Sequence, residues 1–132
     1  MSDEERDPVA CRVLVIEDSV DAADTLRILL ELRGHTVEVA YGGLQGVETA
    51  ARFRPDLVLC DIGLPGLDGY QVAHALRQNP TLRGARLIAL SGYDDMSDRE
   101  RSRAAGFDAH VPKPIDLAEL SQLMATVLPR KG

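Results

Sequence analysis

The chain has 132 residues, 45% of them apolar and 27% charged, which suits one domain with one core and excludes a wholly disordered chain. No apolar run approaches the roughly 20 residues of a membrane helix, and the opening Met1-Ser2-Asp3-Glu4-Glu5-Arg6-Asp7-Pro8 is too charged for a signal peptide, so a cytoplasmic location is expected. A net charge of −6 with no basic stripe argues against direct binding to nucleic acid, and no membrane association is expected.

Residues 1–10 carry no apolar periodicity and are expected as a disordered tail, ahead of a single domain over 11–130. Arg12-Val13-Leu14-Val15-Ile16 reads as a central strand that ends in Glu17-Asp18. Asp18-Ser19 opens a helix with Ala22, Ala23, Leu26, Leu29 and Leu30 on its apolar stripe, and Gly34 is a left-handed stop. Thr36–Ala40 alternates like a strand nearer an edge, and Leu44–Phe53 is a second helix that ends before Pro55. Cys11 and Cys60 lack metal-ligand spacing and are expected as buried thiols.

The third strand, Leu57–Cys60, leads straight to the carboxylate of Asp61. A Gly- and Pro-rich loop follows, and Asp68 caps a third helix whose apolar face is Tyr70, Val72, Ala73 and Leu76. Arg86–Leu90 is a fourth strand ending on Ser91, and Ser97–Ala105 is a polar helix that should be the least well packed. Ala109–Val111 is a short fifth strand before Pro112-Lys113-Pro114. Asp116 caps the last helix, with Leu117, Leu120, Leu123, Met124 and Val127 on its inner face. Strand and helix alternate five times, which predicts an α/β fold with a parallel sheet covered on both faces. No Gly-x-Gly-x-x-Gly follows the first strand, so a dinucleotide site is not supported.

In such a sheet the carboxyl ends of the strands share one edge, where ligands bind. That edge collects Glu17, Asp18, Asp61, Ser91 and Lys113. Two like charges about 5 Å apart repel by roughly 3 kcal/mol at an effective dielectric near 20. Three such pairs approach the stability of a whole domain. Lys113 offsets part of this, and a divalent cation is the natural remainder. Oxygen ligands favour Mg²⁺, with Mn²⁺ as a substitute. The candidate ligands are Asp18 and Asp61, Glu17 directly or through water, and a loop carbonyl near Gly63. An ionised Asp61 facing a phosphate can act as a nucleophile and form an acyl phosphate. Lys113 and the metal would stabilise the charge that develops, and Ser91 would donate to a phosphoryl oxygen.

Val15-Ile16-Glu17-Asp18, Asp61-Ile62-Gly63-Leu64-Pro65-Gly66-Leu67-Asp68-Gly69, Leu90-Ser91-Gly92 and Lys113-Pro114 together resemble the receiver domains of response regulators in two-component signalling. The resemblance spans residues 11–130. It implies a flavodoxin-like, doubly wound five-stranded sheet in the order 2-1-3-4-5. It also implies phosphotransfer to Asp61 from a histidine kinase or a histidine phosphotransfer protein, and a cis Lys113–Pro114 bond. The hydroxyl of Ser91 and the ring at position 110 would then switch the face formed by helix four, strand five and helix five, which is also a candidate surface for a homodimer. The chain departs from the family pattern at three positions. His110 replaces the usual Tyr or Phe, so a switch by this residue would respond to pH. Ser91 replaces the commoner Thr and has a less restricted rotamer. Gly63 stands where a larger side chain is common, which suggests easy water access and a short phosphoryl lifetime unless Tyr93 covers the site. His35 and His74 are expected at the surface. Two other classes stay open: a phosphorylation-inactive receiver used as a binding scaffold, and an aspartyl-nucleophile phosphatase. The phosphatase needs an acid two residues after its nucleophile, and Gly63 cannot serve.

Overall fold

The computed structural model describes residues 7, 10–92 and 96–128, with the side chains of 96–98 left aside. In chain order the elements are β1 (Arg12–Ile16), α1 (Val20–Leu32), β2 (Thr36–Ala40), α2 (Gly43–Phe53), β3 (Leu57–Asp61), α3 (Gly69–Gln78), β4 (Arg86–Ser91), α4 (Met96–Ala105), β5 (Ala109–Pro112) and α5 (Leu117–Val127). A short 3₁₀ turn at Pro80–Leu82 joins α3 to β4. The expected strands three to five each extend by one residue, because the ladder continues through Asp61, Ser91 and Pro112.

All strands are parallel, in the order β2-β1-β3-β4-β5, as expected for the flavodoxin-like arrangement. Successive strand side chains point to opposite faces, so an unbroken apolar run needs cover on both. Val13 and Val15 pack with Ala23, Leu26, Leu30, Leu120 and Met124, from α1 and α5. Leu14 and Ile16 pack on the other side with Ala50, Phe53, Val72 and Leu76, from α2 and α3. Helix α4 contributes little: Ser102 is the one buried residue among its described side chains.

Helix ends follow the polar signals in the sequence. Ser19 Oγ accepts the Ala22 N–H at 3.4 Å. Asp68 and Gln71 form a reciprocal capping box, each bond 3.0 Å. Asp116 accepts from the N–H groups of Ala118 and Glu119. Gly34 closes α1 with φ +101° and donates to the Glu31 carbonyl at 3.0 Å.

One expected surface residue is buried. His35 has a fully buried side chain, while His74 is exposed as expected. The Cys11 N–H donates to His35 Nδ1 at 3.1 Å. Nδ1 is therefore the acceptor, and Nε2 carries the hydrogen that Asp7 Oδ2 accepts at 2.6 Å. Asp7 also donates its backbone N–H to the Arg33 carbonyl at 3.0 Å and pairs with the Arg33 guanidinium at 3.4 Å. Asp7 falls within the stretch expected as a tail, yet it is docked, because it satisfies a buried imidazole. Both cysteines are buried thiols in no disulfide among the described residues, as expected.

Candidate functional site

Register brings the polar residues together. Ile16 lies beside Cys60, so Glu17 and Asp61 leave adjacent strands side by side. Asp61 lies beside Leu90, one residue before Ser91, and Ser91 lies beside Pro112, one residue before Lys113. The Lys113 N–H donates to the Ser91 carbonyl at 2.7 Å, and the Lys113–Pro114 bond is cis. Lys113 Nζ then reaches Glu17 Oε1 at 2.5 Å and Asp61 Oδ2 at 3.2 Å. Asp61 Oδ1 accepts the Gly63 N–H at 2.9 Å.

The loop after β3 makes a close turn under this site. Gly66 sits at φ +73°, a conformation that favours glycine. A Cβ at Gly69 would lie 2.6 Å from both the Asp61 carbonyl oxygen and Ile62 Cα. The start of α3 is thus pressed against the backbone that carries Asp61. A Cβ at Gly63 would meet only Asp61 Oδ1, at 3.6 Å.

The carboxylates differ in their proton affinity. Burial, and then the neighbouring Asp61 carboxylate, push Glu17 up to about 7, against the pull of Lys113. Burial also pushes Asp61 upward, but its contacts with Glu17, the Gly63 N–H and Lys113 outweigh it and hold Asp61 below the ordinary range. Burial pulls Lys113 down, but Glu17 and Asp61 outweigh it and raise its pKa. Asp61 is therefore ionised at neutral pH and Lys113 is charged. Ligand oxygens of Glu17, Asp18 and Asp61 all lie within 4.8 Å of one another. Among the described residues Glu17 Oε2 is buried with no hydrogen-bond partner, although a buried carboxylate oxygen ordinarily has one. Three hard oxygen donors and that orphaned atom fit a small divalent cation.

Beside Asp61 opens a cavity of about 400 Å³, whose lining includes Asp61, Gly63, Asp68, Tyr70, Ser91 and Arg101. Tyr70 was expected only on the apolar face of the third helix, and Arg101 was not singled out in the sequence. The Arg101 guanidinium lies over the Tyr70 ring, 4.1 Å from its centroid. No spacing in the sequence signals this pair, since one residue opens α3 and the other lies on the polar α4. His110 is half-buried on β5, paired in register with Ala89. Tyr93, which could bear on water access at Gly63, lies outside the described residues. Among the described residues no helix is long and apolar enough to cross a membrane.

This fold and this acidic edge define a class of signalling domain. Residues 13–125 match the family model described as the response regulator receiver domain, and the chain belongs to that family. It is 35% identical over 122 residues to response regulator MprA of Mycobacterium ulcerans, an alignment covering 92% of this chain and 52% of that protein. The chain thus spans about half the length of the curated relatives it matches. Among solved structures it is similar to the receiver domain of a sensor histidine kinase from Pseudomonas aeruginosa PAO1. That likeness has 30% identity and a TM-score of 0.81, and it covers 89% of this chain and 97% of that one. That structure holds a magnesium ion in its active-site cleft. Chemotaxis protein CheY4 of Vibrio cholerae shares the fold at 22% identity, with a TM-score of 0.86 over 91% of this chain and 100% of that one. Accepting a phosphoryl group is the general role of this family.

Proposed function

We propose that Asp61 is the phosphoryl acceptor of this chain, in a reaction that depends on Mg²⁺ held by Glu17, Asp18, Asp61 and the Gly63 carbonyl. The observation that carries this reading is the single cluster of Lys113 with Glu17 and Asp61, beside a third carboxylate at Asp18. The donor is a histidine kinase or a histidine phosphotransfer protein. An Asp61 oxygen forms a bond to phosphorus while the bond from phosphorus to the donor nitrogen breaks, and that nitrogen keeps the electron pair. No separate base is needed, because Asp61 is already ionised. Lys113 offsets charge on the phosphoryl oxygens, and the Ser91 hydroxyl donates to one of them. Bound Mg²⁺ would neutralise the crowded carboxylates and act as a Lewis acid toward phosphoryl oxygens.

The acyl phosphate adds charge and acceptor oxygens at the end of β3. Ser91 moves toward it, His110 turns inward, and the face of α4, β5 and α5 changes. The receiver thereby passes its state to a downstream protein or output domain, or to a second copy of itself. The test is intact mass after incubation with acetyl phosphate and Mg²⁺, for wild type and Asp61→Asn. The expected result is a gain of about 80 Da, one phosphoryl group, that requires Mg²⁺ and is lost in the variant. Phosphate release without an adduct would indicate fast hydrolysis at Asp61, approaching phosphatase-like turnover. No adduct and no release would favour an inert scaffold.

A further inference from the structure

We infer that Arg101 is a specificity-determining residue for the phosphoryl donor, a reading that rests on Asp61 as the acceptor. The cavity beside Asp61 has two acidic lining residues, Asp61 and Asp68, and among its described lining residues Arg101 supplies the one positive charge. Lys113 lines a separate groove together with Glu17, and its Nζ lies 3.2 Å from Asp61 Oδ2. An anionic group at Asp61 would therefore meet two cations, Arg101 from one groove and Lys113 from the other. Asp68 Oδ1 is engaged in the α3 cap, where it accepts the Gln71 N–H.

The guanidinium is held by its face. Tyr70 lies beneath it at 4.1 Å, and stacking of that kind restricts the plane while its N–H edge remains available for oxygens. A planar fork of N–H donors suits phosphoryl and carboxylate oxygens, which it can bind in pairs. Arg101 is exposed, so it costs little to desolvate and can meet a donor as it enters. Its effect is greatest when the leaving group is anionic as well as the phosphoryl group. With acetyl phosphate, the Asp61 oxygen–phosphorus bond forms as the phosphorus–oxygen bond to acetate breaks, and acetate departs with the electron pair. With phosphoramidate, the nitrogen leaves as ammonia and already carries its protons. The first donor develops negative charge on its leaving oxygen, whereas the second does not.

The experiment compares initial rates of Asp61 phosphorylation with excess Mg²⁺, read by intact mass, for acetyl phosphate and for phosphoramidate. Arg101→Ala is expected to slow the acetyl phosphate reaction about tenfold, the size of one charge-assisted hydrogen bond, and the phosphoramidate reaction much less. Arg101→Lys should recover part of the rate, and Tyr70→Leu should lose part of it by releasing the guanidinium. Added salt should narrow the gap between the two donors in wild type, and leave it unchanged in Arg101→Ala. Equal losses with both donors would assign Arg101 a packing role on α4 and overturn the inference. Normal rates in Arg101→Ala would also overturn it, while leaving Asp61 as acceptor. A wild type that gains no phosphoryl mass and releases no phosphate from either donor would overturn the acceptor assignment and this inference together.

Discussion

Lys113 and Glu17 are 96 positions apart in the chain, yet their charged atoms meet at 2.5 Å. The ammonium is shared, for Asp61 lies 3.2 Å away. One cation therefore serves two carboxylates, and burial leaves Glu17 the one that holds its proton more tightly.

That imbalance predicts a pH dependence. The folded chain binds a proton on Glu17 up to about pH 7, whereas the ordinary value is 4.5. Between these limits the folded state holds a proton that the unfolded state has released, so this group makes stability fall as pH rises. Without metal, Glu17→Gln should stabilise the fold at pH 8 by roughly 2 kcal/mol and change it little at pH 4.5. Mg²⁺ should raise the wild-type urea midpoint more at pH 8 than at pH 5, since ligands must be ionised to bind. Urea titrations with EDTA or Mg²⁺ measure both effects, and a Glu17→Gln gain that is equal at the two pH values would refute the account.

Gly69 is fixed by space rather than by its torsion. A Cβ there would meet the Asp61 carbonyl and Ile62 Cα at 2.6 Å, both of them backbone atoms. Gly69→Ala should cost about 3 kcal/mol, the upper range for overpacking. It should also slow phosphoryl uptake by displacing Asp61. An unchanged denaturant midpoint would show that the loop yields freely.

Gly63 is the opposite case. Its Cβ position meets only Asp61 Oδ1, at an ordinary 3.6 Å, so Gly63→Met should fold with stability within about 0.5 kcal/mol of wild type. The longer side chain should shield the acyl phosphate and slow its hydrolysis several-fold. The measurement is loss of the phosphoryl mass with time after the donor is removed, and an unchanged rate would remove water access at this position as the cause.

Asp7 should contribute to stability from outside the periodic part of the chain. Asp7→Ala would leave His35 Nε2, on a fully buried side chain, without its 2.6 Å acceptor. The expected loss is about 2 kcal/mol. His35→Ala made in addition to Asp7→Ala should cost less than His35→Ala alone costs wild type, because the orphaned group is gone. A thermodynamic cycle of the two variants that shows strict additivity would refute the coupling.

Much of the site was legible in the sequence because strand ends in a parallel sheet fall on one edge. Val15-Ile16-Glu17-Asp18 and Leu59-Cys60-Asp61 each break an apolar run with a carboxylate, and burial makes that pattern informative. Ser19, Asp68 and Asp116 were legible as caps because capping is a local hydrogen bond between near neighbours. His35 was not legible. Its acceptor is 28 positions away, in a stretch without periodicity, and its position next to a strand looks the same for an exposed ring. Arg101 was missed for a related reason, since a polar helix gives no indication of which of its charges faces a cavity.

The sequence by itself determined the alternation of strand and helix, the two-sided burial of β1 and β3, and the residue types at the acidic edge. These depend on period and polarity, which short stretches carry. The tertiary structure decided that one lysine is shared by Glu17 and Asp61, that burial raises Glu17 toward neutrality, and that the Tyr70 ring lies under Arg101 in the cavity beside Asp61. Those outcomes depend on distances of a few ångströms between separate elements. Coulomb energies, desolvation and cation–π contacts all change steeply on that scale, and no local pattern encodes it.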